Sequence, residues 1–191
     1  MIDRRVLWSR LAKHFKVPSS TIRRLQDLFD RNFSKLVIKG SKSKGFENLR
    51  GLLQGSSLSP ILFNLFIDEM LFRLSQHGPK FQTLRNLTTN TLAFADDVAL
   101  HSSSKDGMIS LLKICESWAI KVGMQFAAIK CYLLGKEQIQ EFKLYDITLP
   151  CAPCLKYLGI PFTEDGMDLL ANAMERSEKA RKVTNLVNAY G

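Results

Sequence analysis

The sequence predicts an α+β fold in which helices pack on one face of a mainly antiparallel sheet. Apolar residues recur at helical spacing in several segments, and short strand-like runs that end in turn residues lie between them. No internal repeat, low-complexity tract or linker divides the sequence. With 191 residues, of which 46% are hydrophobic, the chain is long enough to bury a core as one domain.

The first 53 residues predict two helices followed by a hairpin. Apolar spacing indicates a helix over residues 4–15, and a second helix over 19–29 begins with a serine cap. Residues 33–39 alternate as a strand does, and 46–53 are suited to return as the second arm across a basic turn at 41–45.

A buried helix is expected next, over residues 58–74, because this segment is apolar almost all round. Ser59 is expected to cap it, and Pro60 to occupy its first turn. The remaining expected elements are strands at 92–95 and 98–100, an amphipathic helix at 106–120, strands at 131–134, 142–149 and 155–162, and a last helix at 167–186.

The positive charge is concentrated near the N-terminus. Residues 1–50 hold 13 of the 27 basic side chains and four of the 18 acidic ones, so their net charge of +9 equals that of the whole chain. A basic segment on a neutral body indicates a polyanionic partner, most simply a nucleic-acid backbone. A well-solvated basic surface would give the same count, so charge alone leaves both interpretations open.

The sequence contains no run of about 18 uncharged apolar residues that would span a membrane. The N-terminus carries Asp3, Arg4 and Arg5 and lacks the apolar stretch that a signal peptide needs. We therefore expect a soluble protein with no membrane partner that works inside the cell, in the nucleus or the cytoplasm. The four cysteines fit that setting as reduced thiols.

Residues 92–100 place Asp96 and Asp97 side by side between two short apolar runs. Two ionised carboxylates about 4 Å apart repel by roughly 4 kcal/mol at an effective dielectric constant of 20. A fully solvated turn, a proton on one carboxylate, or a divalent metal ion bound to both would relieve this repulsion. Magnesium suits the third case, since it accepts one or two carboxylates and completes its shell with water and substrate phosphates.

Four segments resemble motifs of reverse transcriptases. Phe-Ala-Asp-Asp at 94–97 is similar to the metal-binding hairpin of that family, in the form typical of non-LTR retrotransposons. Residues 54–68 resemble the Gln-Gly to Ser-Pro corner beside the templating base. Further along, 123–131 and 155–159 resemble the family's lysine segment and its Tyr-Leu-Gly turn. The segments occur in the family's order, and the resemblance covers roughly residues 1–165.

The resemblance implies that residues 1–191 are a single partial reverse transcriptase domain, with a palm-like antiparallel sheet and part of the fingers. Residues 1–50 would be its basic part, 51–165 would carry the palm motifs, and 166–191 would form a helix towards a thumb. The implied reaction transfers a nucleotide from a dNTP to the 3′-hydroxyl of a DNA primer on an RNA template, with two Mg²⁺ ions.

The family's functional residues carry over by position. Asp96 and Asp97 would hold Mg²⁺, and Lys130 would be a catalytic residue that brings positive charge or a proton to the pyrophosphate leaving group. Gly55 would serve the corner because a missing side chain lets backbone approach closely. The resemblance implies template and nucleotide contacts by Gln54, Gly55, Ser57 and Pro60, and primer contacts by Phe94, Ala95, Tyr157, Leu158 and Gly159.

Two departures from the family pattern affect the expected activity. Ala127 stands where the lysine segment usually has asparagine, which removes a polar anchor. The family's first metal-binding aspartate would fall immediately before Met1, and Asp3 corresponds to a second, non-essential position. We therefore expect the isolated 191-residue chain to be catalytically inactive or nearly so. Two alternatives stay open: an inactive remnant that keeps the fold and nucleic-acid binding, and an unrelated basic interaction domain.

Overall fold

The structure is a computed structural model that describes residues 2–30, 32–48, 50–78, 81–82, 88–135 and 142–190. The chain divides into two compact units, Met1–Phe126 and Ala127–Gly191.

The first unit contains four helices and eight short strands among its described residues. The helices are α1 (Arg4–Lys13), α2 (Ser19–Asp30), α3 (Leu58–His77) and α4 (Lys105–Lys121). The strands are β1 (Phe33–Ser34), β2 (Val37–Ile38), β3 (Ser41–Lys42), β4 (Phe46–Glu47), β5 (Phe81–Gln82), β6 (Thr88–Thr89), β7 (Thr91–Phe94) and β8 (Asp97–Leu100). They pair as β1–β4, β2–β3, β5–β6 and β7–β8, and every pair is antiparallel.

Helix α3 lies at the centre of this unit, where it packs against α1 and α4. The rings of Phe66 and Trp118 pack edge to face, with their centroids 5.8 Å apart, an arrangement that aromatic pairs favour. The largest fully buried side chains of the chain come from the helices of this unit: Leu7, Leu11, Phe29, Phe66, Met70, Leu74, Leu111 and Trp118. The amphipathic face predicted for α4 is therefore confirmed as part of the core.

A partly exposed ionic cluster joins these three helices. Glu69 of α3 accepts hydrogen bonds from Arg10 of α1, from Arg73 at 2.6 Å and from Lys121 of α4 at 2.8 Å. Burial alone would raise the pKa of Glu69, but the hydrogen bond and charge of Lys121, with those of Arg10 and Arg73, outweigh burial and hold that pKa below its usual value. Glu69 is thus the carboxylate on which three helices converge.

The second unit is built mainly from hairpins and one long helix. A single 3₁₀ turn spans Ala128–Lys130. It is followed by strands β9 (Leu133–Leu134), β10 (Lys143–Leu144), β11 (Ile147–Thr148), β12 (Cys151–Ala152), β13 (Cys154–Tyr157), β14 (Ile160–Thr163) and β15 (Gly166–Met167) and by helix α5 (Leu169–Tyr190). Strands β13, β14 and β15 form an antiparallel sheet, β10 pairs with β11, and β9 pairs in parallel with β12.

The α+β class and the five predicted helices are confirmed, but the strands form small separate sheets in place of one main sheet. Most of these sheets have two strands, and the largest in the described part of the chain has three. Helix α3 is also less buried than predicted, because Ile61 and Phe72 are more than half exposed. The prediction that this helix is buried almost all round was therefore wrong, because one part of its apolar surface faces solvent.

Several local predictions were wrong. Ser59 lies inside α3 and donates a hydrogen bond to the Leu53 carbonyl, so the residue before the helix is Ser57, which makes no side-chain cap. The basic turn predicted at 41–45 belongs partly to β3, and the chain reverses at Lys39 and Gly40, which both have positive φ. The single strands predicted at 142–149 and 155–162 are instead two hairpins, β10–β11 and β13–β14.

Candidate active site

The two adjacent aspartates lie at the tip of the β7–β8 hairpin. Phe94, the last residue of β7, pairs with Asp97, the first of β8, so Ala95 and Asp96 form a two-residue loop. Paired residues on antiparallel strands project to the same face, which places the Asp97 side chain beside the ring of Phe94. Phe94 is 63% exposed. The hairpin therefore presents an aromatic ring and two carboxylates together to solvent.

The loop of this hairpin is strained at Ala95. Its φ is +51°, in the left-handed region where an L-residue costs roughly 1–2 kcal/mol, and Asp96 does not share that sign. A positive φ at the first loop residue alone is typical of a type II′ turn, where glycine is the usual residue. Unfavourable backbone of this kind is concentrated at functional sites. The strained residue immediately precedes Asp96 in the loop.

No described cation forms an ion pair with Asp96 or Asp97, and both side chains are exposed. Two such carboxylates offer hard oxygen ligands that the protein itself does not neutralise, which fits one side of a Mg²⁺ site. Within the described residues, no group of three His, Cys, Asp or Glu side chains is arranged to hold a metal ion. The chemistry of the pair therefore suits magnesium, but the described part of the chain supplies two of the carboxylates and not three.

The base of the hairpin is fixed to the C-terminal end of α3. Asn90 is 2% exposed and donates a hydrogen bond of 2.7 Å from Nδ2 to the Leu74 carbonyl. Its own carbonyl accepts the backbone N–H of His101 at 3.0 Å, across the two strands. Gly78 fits beside them so closely that an added Cβ would lie 2.3 Å from Leu111 and 2.5 Å from Asn90. These contacts hold the aspartate hairpin against the core.

The sequence prediction missed these anchoring residues. Asn90 precedes a strand and resembles an ordinary turn residue, while Gly78 resembles an ordinary helix end. The burial of the Asn90 amide and the lack of space for a side chain at Gly78 both result from packing. A single sequence carries no signal for either.

The predicted template and nucleotide residues lie at the corner that leads into α3. Gln54 and Gly55 form an exposed turn, and the φ of Gly55 is +84°. A Cβ at Gly55 would meet nothing within 4 Å in the protein. Glycine is therefore favoured here by its positive φ and not by a lack of space for a side chain. Ser57 immediately precedes the helix, and Pro60 occupies its first turn as predicted. The corner thus presents backbone and a carboxamide to solvent.

Lys130 and the Tyr157-Leu158-Gly159 turn belong to the second unit. Lys130 ends the 3₁₀ turn and is exposed. Leu158 and Gly159 form the two-residue loop of the β13–β14 hairpin, and both have positive φ, the pattern of a type I′ turn. The structure thus confirms a tight turn at 157–159, while the roles of these residues stay predictions.

An ion-pair cluster supports this second hairpin. Lys156 contacts Glu175 of α5 at 2.5 Å, and Lys179 contacts the same carboxylate at 2.8 Å. The hydrogen bonds from Lys156 and then Lys179 lower the pKa of Glu175 to about 2. The carboxylate is therefore charged at neutral pH and holds α5 to the strand that leads into the turn.

Part of the basic N-terminal charge is structural. The guanidinium of Arg4 is buried and donates to the carbonyls of Phe29 and Asn48, and Arg10 is paired with Glu69. Arg5 contacts Asp3, which caps α1, and this hydrogen bond lowers the pKa of Asp3. The cations that remain exposed without an ion pair include the four lysines of residues 33–47.

The chain matches one protein family over most of its length. The family described as "Reverse transcriptase (RNA-dependent DNA polymerase)" matches residues 6–162, which contain the Gln54 corner, the aspartate hairpin, Lys130 and the Tyr157 turn. The chain belongs to the reverse transcriptase family. The match includes the Phe-Ala-Asp-Asp hairpin, whose role stays a prediction, and the interpretation as an unrelated basic domain is wrong.

Individual reverse transcriptase relatives come from retrotransposable elements. The chain is 31% identical over 184 residues to the retrovirus-related Pol polyprotein of type-2 retrotransposable element R2DM of Drosophila melanogaster, which covers 89% of this chain and 17% of that protein. It is 26% identical to the corresponding R2 polyprotein of Nasonia vitripennis, over 79% of this chain and 16% of that protein. The similarity supports a reverse transcriptase domain of non-LTR type. This chain spans about a sixth of the length of these two relatives.

Proposed function

We propose that this chain is the palm, with part of the fingers, of an RNA-directed DNA polymerase of a non-LTR retrotransposon. The observation that supports this most directly is the β7–β8 hairpin, where Asp96 and Asp97 stand exposed and unpaired beside Phe94 in a chain of the reverse transcriptase family. The proposed reaction extends a DNA primer on an RNA template with dNTPs, inside the cell. No helix in the described part of the chain is long and apolar enough to cross a membrane.

In the proposed reaction Asp96 and Asp97 hold the Mg²⁺ ions. When bound, the metal supplies positive charge at the reacting phosphate and lowers the pKa of the primer 3′-hydroxyl. Asp96 is the stronger ligand candidate, because the family resemblance matches it to the first aspartate of the hairpin. The strained φ of Ala95 supports this assignment, since it fixes the loop from which Asp96 projects.

Residues outside the hairpin would bind and position the substrates. Phe94 and Ala95 border the primer terminus, and the type I′ turn of Tyr157, Leu158 and Gly159 grips the primer backbone. Gln54, Gly55, Ser57 and Pro60 contact the template and the incoming nucleotide, where the open space around Gly55 admits close approach of a ligand to backbone. Lys130 places its ammonium at the triphosphate and stabilises the leaving pyrophosphate.

A two-metal site of this kind needs a third carboxylate, and the described residues group no third acidic ligand with Asp96 and Asp97. We propose that the 191-residue chain by itself keeps its fold and nucleic-acid affinity but has little or no activity.

RNA-templated primer extension tests this function. The 191-residue chain and a longer chain that carries the flanking reading frame before Met1 are each given a DNA primer on an RNA template, dNTPs and Mg²⁺. We expect template-matched extension by the longer chain and little or none by the shorter one. Robust extension by the 191-residue chain would contradict the missing carboxylate, and none by either chain would contradict the polymerase assignment.

A further inference from the structure

The hairpin of residues 33–47 has an unusual surface for a soluble chain. Its arms are β1–β4 at the base and β2–β3 near the tip. Five of its large apolar side chains are between 47% and 67% exposed: Phe33, Leu36, Val37, Ile38 and Phe46. The same segment carries Lys35, Lys39, Lys42 and Lys44 against the single acid Glu47. Exposed aromatic and aliphatic groups among unpaired cations indicate an interaction site for a ligand or a macromolecule.

The base of this hairpin is anchored to the core. Arg4, which is buried in the first helix, donates to the carbonyl of Asn48, the residue that follows β4. The Asn48 side chain donates to the Ser34 hydroxyl at 2.8 Å, and its backbone N–H donates to Asn32 at 3.0 Å. The exposed faces are therefore presented from a fixed base.

The two phenylalanines of this hairpin project to opposite faces. Phe33 pairs with Glu47, whereas Phe46 pairs with Ser34 one position along, and successive residues of a strand alternate in direction. An added Cβ on Gly45 would lie 3.6 Å from Cε of Lys35 and 4.0 Å from Phe33. Phe33 and Lys35 therefore flank Gly45, which has no side chain to cover the gap between the aromatic ring and the ammonium group.

We propose that the Phe33 face of this hairpin binds single-stranded nucleic acid, with a base stacked on the Phe33 ring and the adjoining phosphate on Lys35. An aromatic ring beside a cation is the combination that such proteins use for an unpaired strand. A duplex keeps its bases stacked on one another and would engage the lysines alone, so the aromatic ring selects for an unpaired strand. The choice of a nucleic acid as partner rests on the proposed function. The hairpin carries four lysines against one acid, so its net charge is complementary to a polyanion, and the one acid, Glu47, projects to the same face as Phe33.

Tryptophan fluorescence tests this surface directly. Trp8 and Trp118 are at most 5% exposed, so an indole introduced on the hairpin is the one that reports contact with a base. Phe33→Trp should be quenched by an oligothymidylate of 15 nucleotides, while Phe46→Trp, the matched control on the opposite face, should change little. Equal quenching at both positions, or none at Phe33→Trp, would overturn the proposal.

Binding measurements complete the test. Phe33→Ala should weaken binding of the same oligonucleotide about 5- to 150-fold, the range that stacking of one base supplies, with an unchanged salt dependence. Lys35→Gln should reduce the slope of log affinity against log salt by about 0.7, the value for one phosphate contact on a single strand. Circular dichroism confirms that each variant folds. Tighter binding of a duplex than of the single strand, or a response of Phe33→Trp to anionic lipid vesicles alone, would contradict the assignment.

These measurements need no turnover. Primer extension by neither chain, together with quenching at Phe33→Trp, would therefore contradict the polymerase proposal and leave this surface intact. Extension by the longer chain without that quenching would contradict this surface alone.

Discussion

At the scale of single residues, the exposed carboxylates of Asp96 and Asp97 have no protein cation beside them in the described part of the chain, so a metal ion is free to bind there. Mg²⁺ that binds the folded state alone raises stability by mass action. We expect MgCl₂ to raise the melting temperature of the wild type by a few degrees, at roughly 2–4 °C per kcal/mol for a chain of this length. Asp96→Asn should remove most of that shift.

The matched control for this metal titration is Asp146→Asn. Asp146 is also an exposed aspartate in a two-residue hairpin loop, between β10 and β11. It should keep the full magnesium response, with NaCl at equal ionic strength as the salt control. An equal magnesium shift in Asp96→Asn and in the wild type would contradict the metal assignment at this hairpin.

The conformation of Ala95 gives a second prediction at this scale. Ala95→Gly removes the penalty of a side chain at φ +51° but adds freedom to the unfolded chain, and these effects nearly cancel. We expect the free energy of unfolding to change by about 1 kcal/mol or less, whereas Ala95→Val should lower it by more because a β-branched residue tolerates this region poorly. Denaturant titration measures both. A loss above about 2 kcal/mol in Ala95→Gly would be inconsistent with the positive φ.

The sequence predicted the position of this hairpin but not its backbone conformation. Phe94 to Asp97 resemble a family motif, and β-strand runs on either side predict a tight turn. Glycine or asparagine is the usual indication of a positive φ, and Ala95 is neither, so its strain was not predictable from residue type.

At the scale of secondary-structure elements, the contact of α3, α4 and the β7–β8 hairpin depends on Gly78. An added methyl group would overlap Leu111, Asn90 and the Leu74 carbonyl. Gly78→Ala should therefore lower the free energy of unfolding by about 1–3 kcal/mol, as overpacking of a core does. Gly45→Ala is the matched control, because its Cβ would make only ordinary contacts. Equal unfolding free energies for the two variants in denaturant titrations would contradict this packing.

The Glu69 cluster makes the packing of α1, α3 and α4 dependent on pH. The folded-state pKa of Glu69 lies below its usual value, so its stabilising effect is complete above about pH 4.3 and is lost as the pH falls through the folded-state pKa. Glu69→Gln should lower the free energy of unfolding by about 1–3 kcal/mol at pH 7, since Arg10 then loses its carboxylate partner.

Melting temperatures of the wild type and Glu69→Gln from pH 7 to pH 3 check this expectation. The difference between the two proteins should narrow as the pH falls below about 4. Glu178→Gln, which removes an exposed ion pair with Lys182, is the control and should have little effect. A wild-type advantage that stays constant down to pH 3 would argue against a charged Glu69 as its source.

The helices were predictable from the sequence because their apolar spacing extends over several turns, as in α4. Short strands were harder to assign. The 142–149 segment is interrupted by Tyr145 and Asp146, both with positive φ. Asp is a common turn residue, but Tyr145 before it is typical of a strand, so the pair did not indicate a turn. Ser59 was misassigned as a cap because α3 begins at Leu58, one residue before it.

At the scale of the whole molecule, the net charge of +9 indicated a polyanionic partner but not which side chains face it. Arg4 and Arg10 are used to hold elements together, whereas the lysines of 33–47 are exposed. A count of basic residues does not distinguish structural arginines from exposed lysines, because long-range contacts decide which of them are paired. The family match shows the family of the chain, and the placement of substrates on it stays a proposal.

Primer extension by aspartate variants tests the central claim most directly, that Asp96 and Asp97 belong to a nucleotidyl-transfer site. In the longer chain that carries the flanking residues, Asp96→Asn should reduce Mg²⁺-dependent extension by about 100-fold or more, because several kcal/mol of charge stabilisation are lost. Binding of primer-template should be kept, and Asp146→Asn should extend the primer as the wild type does. Wild-type extension by Asp96→Asn would contradict the account.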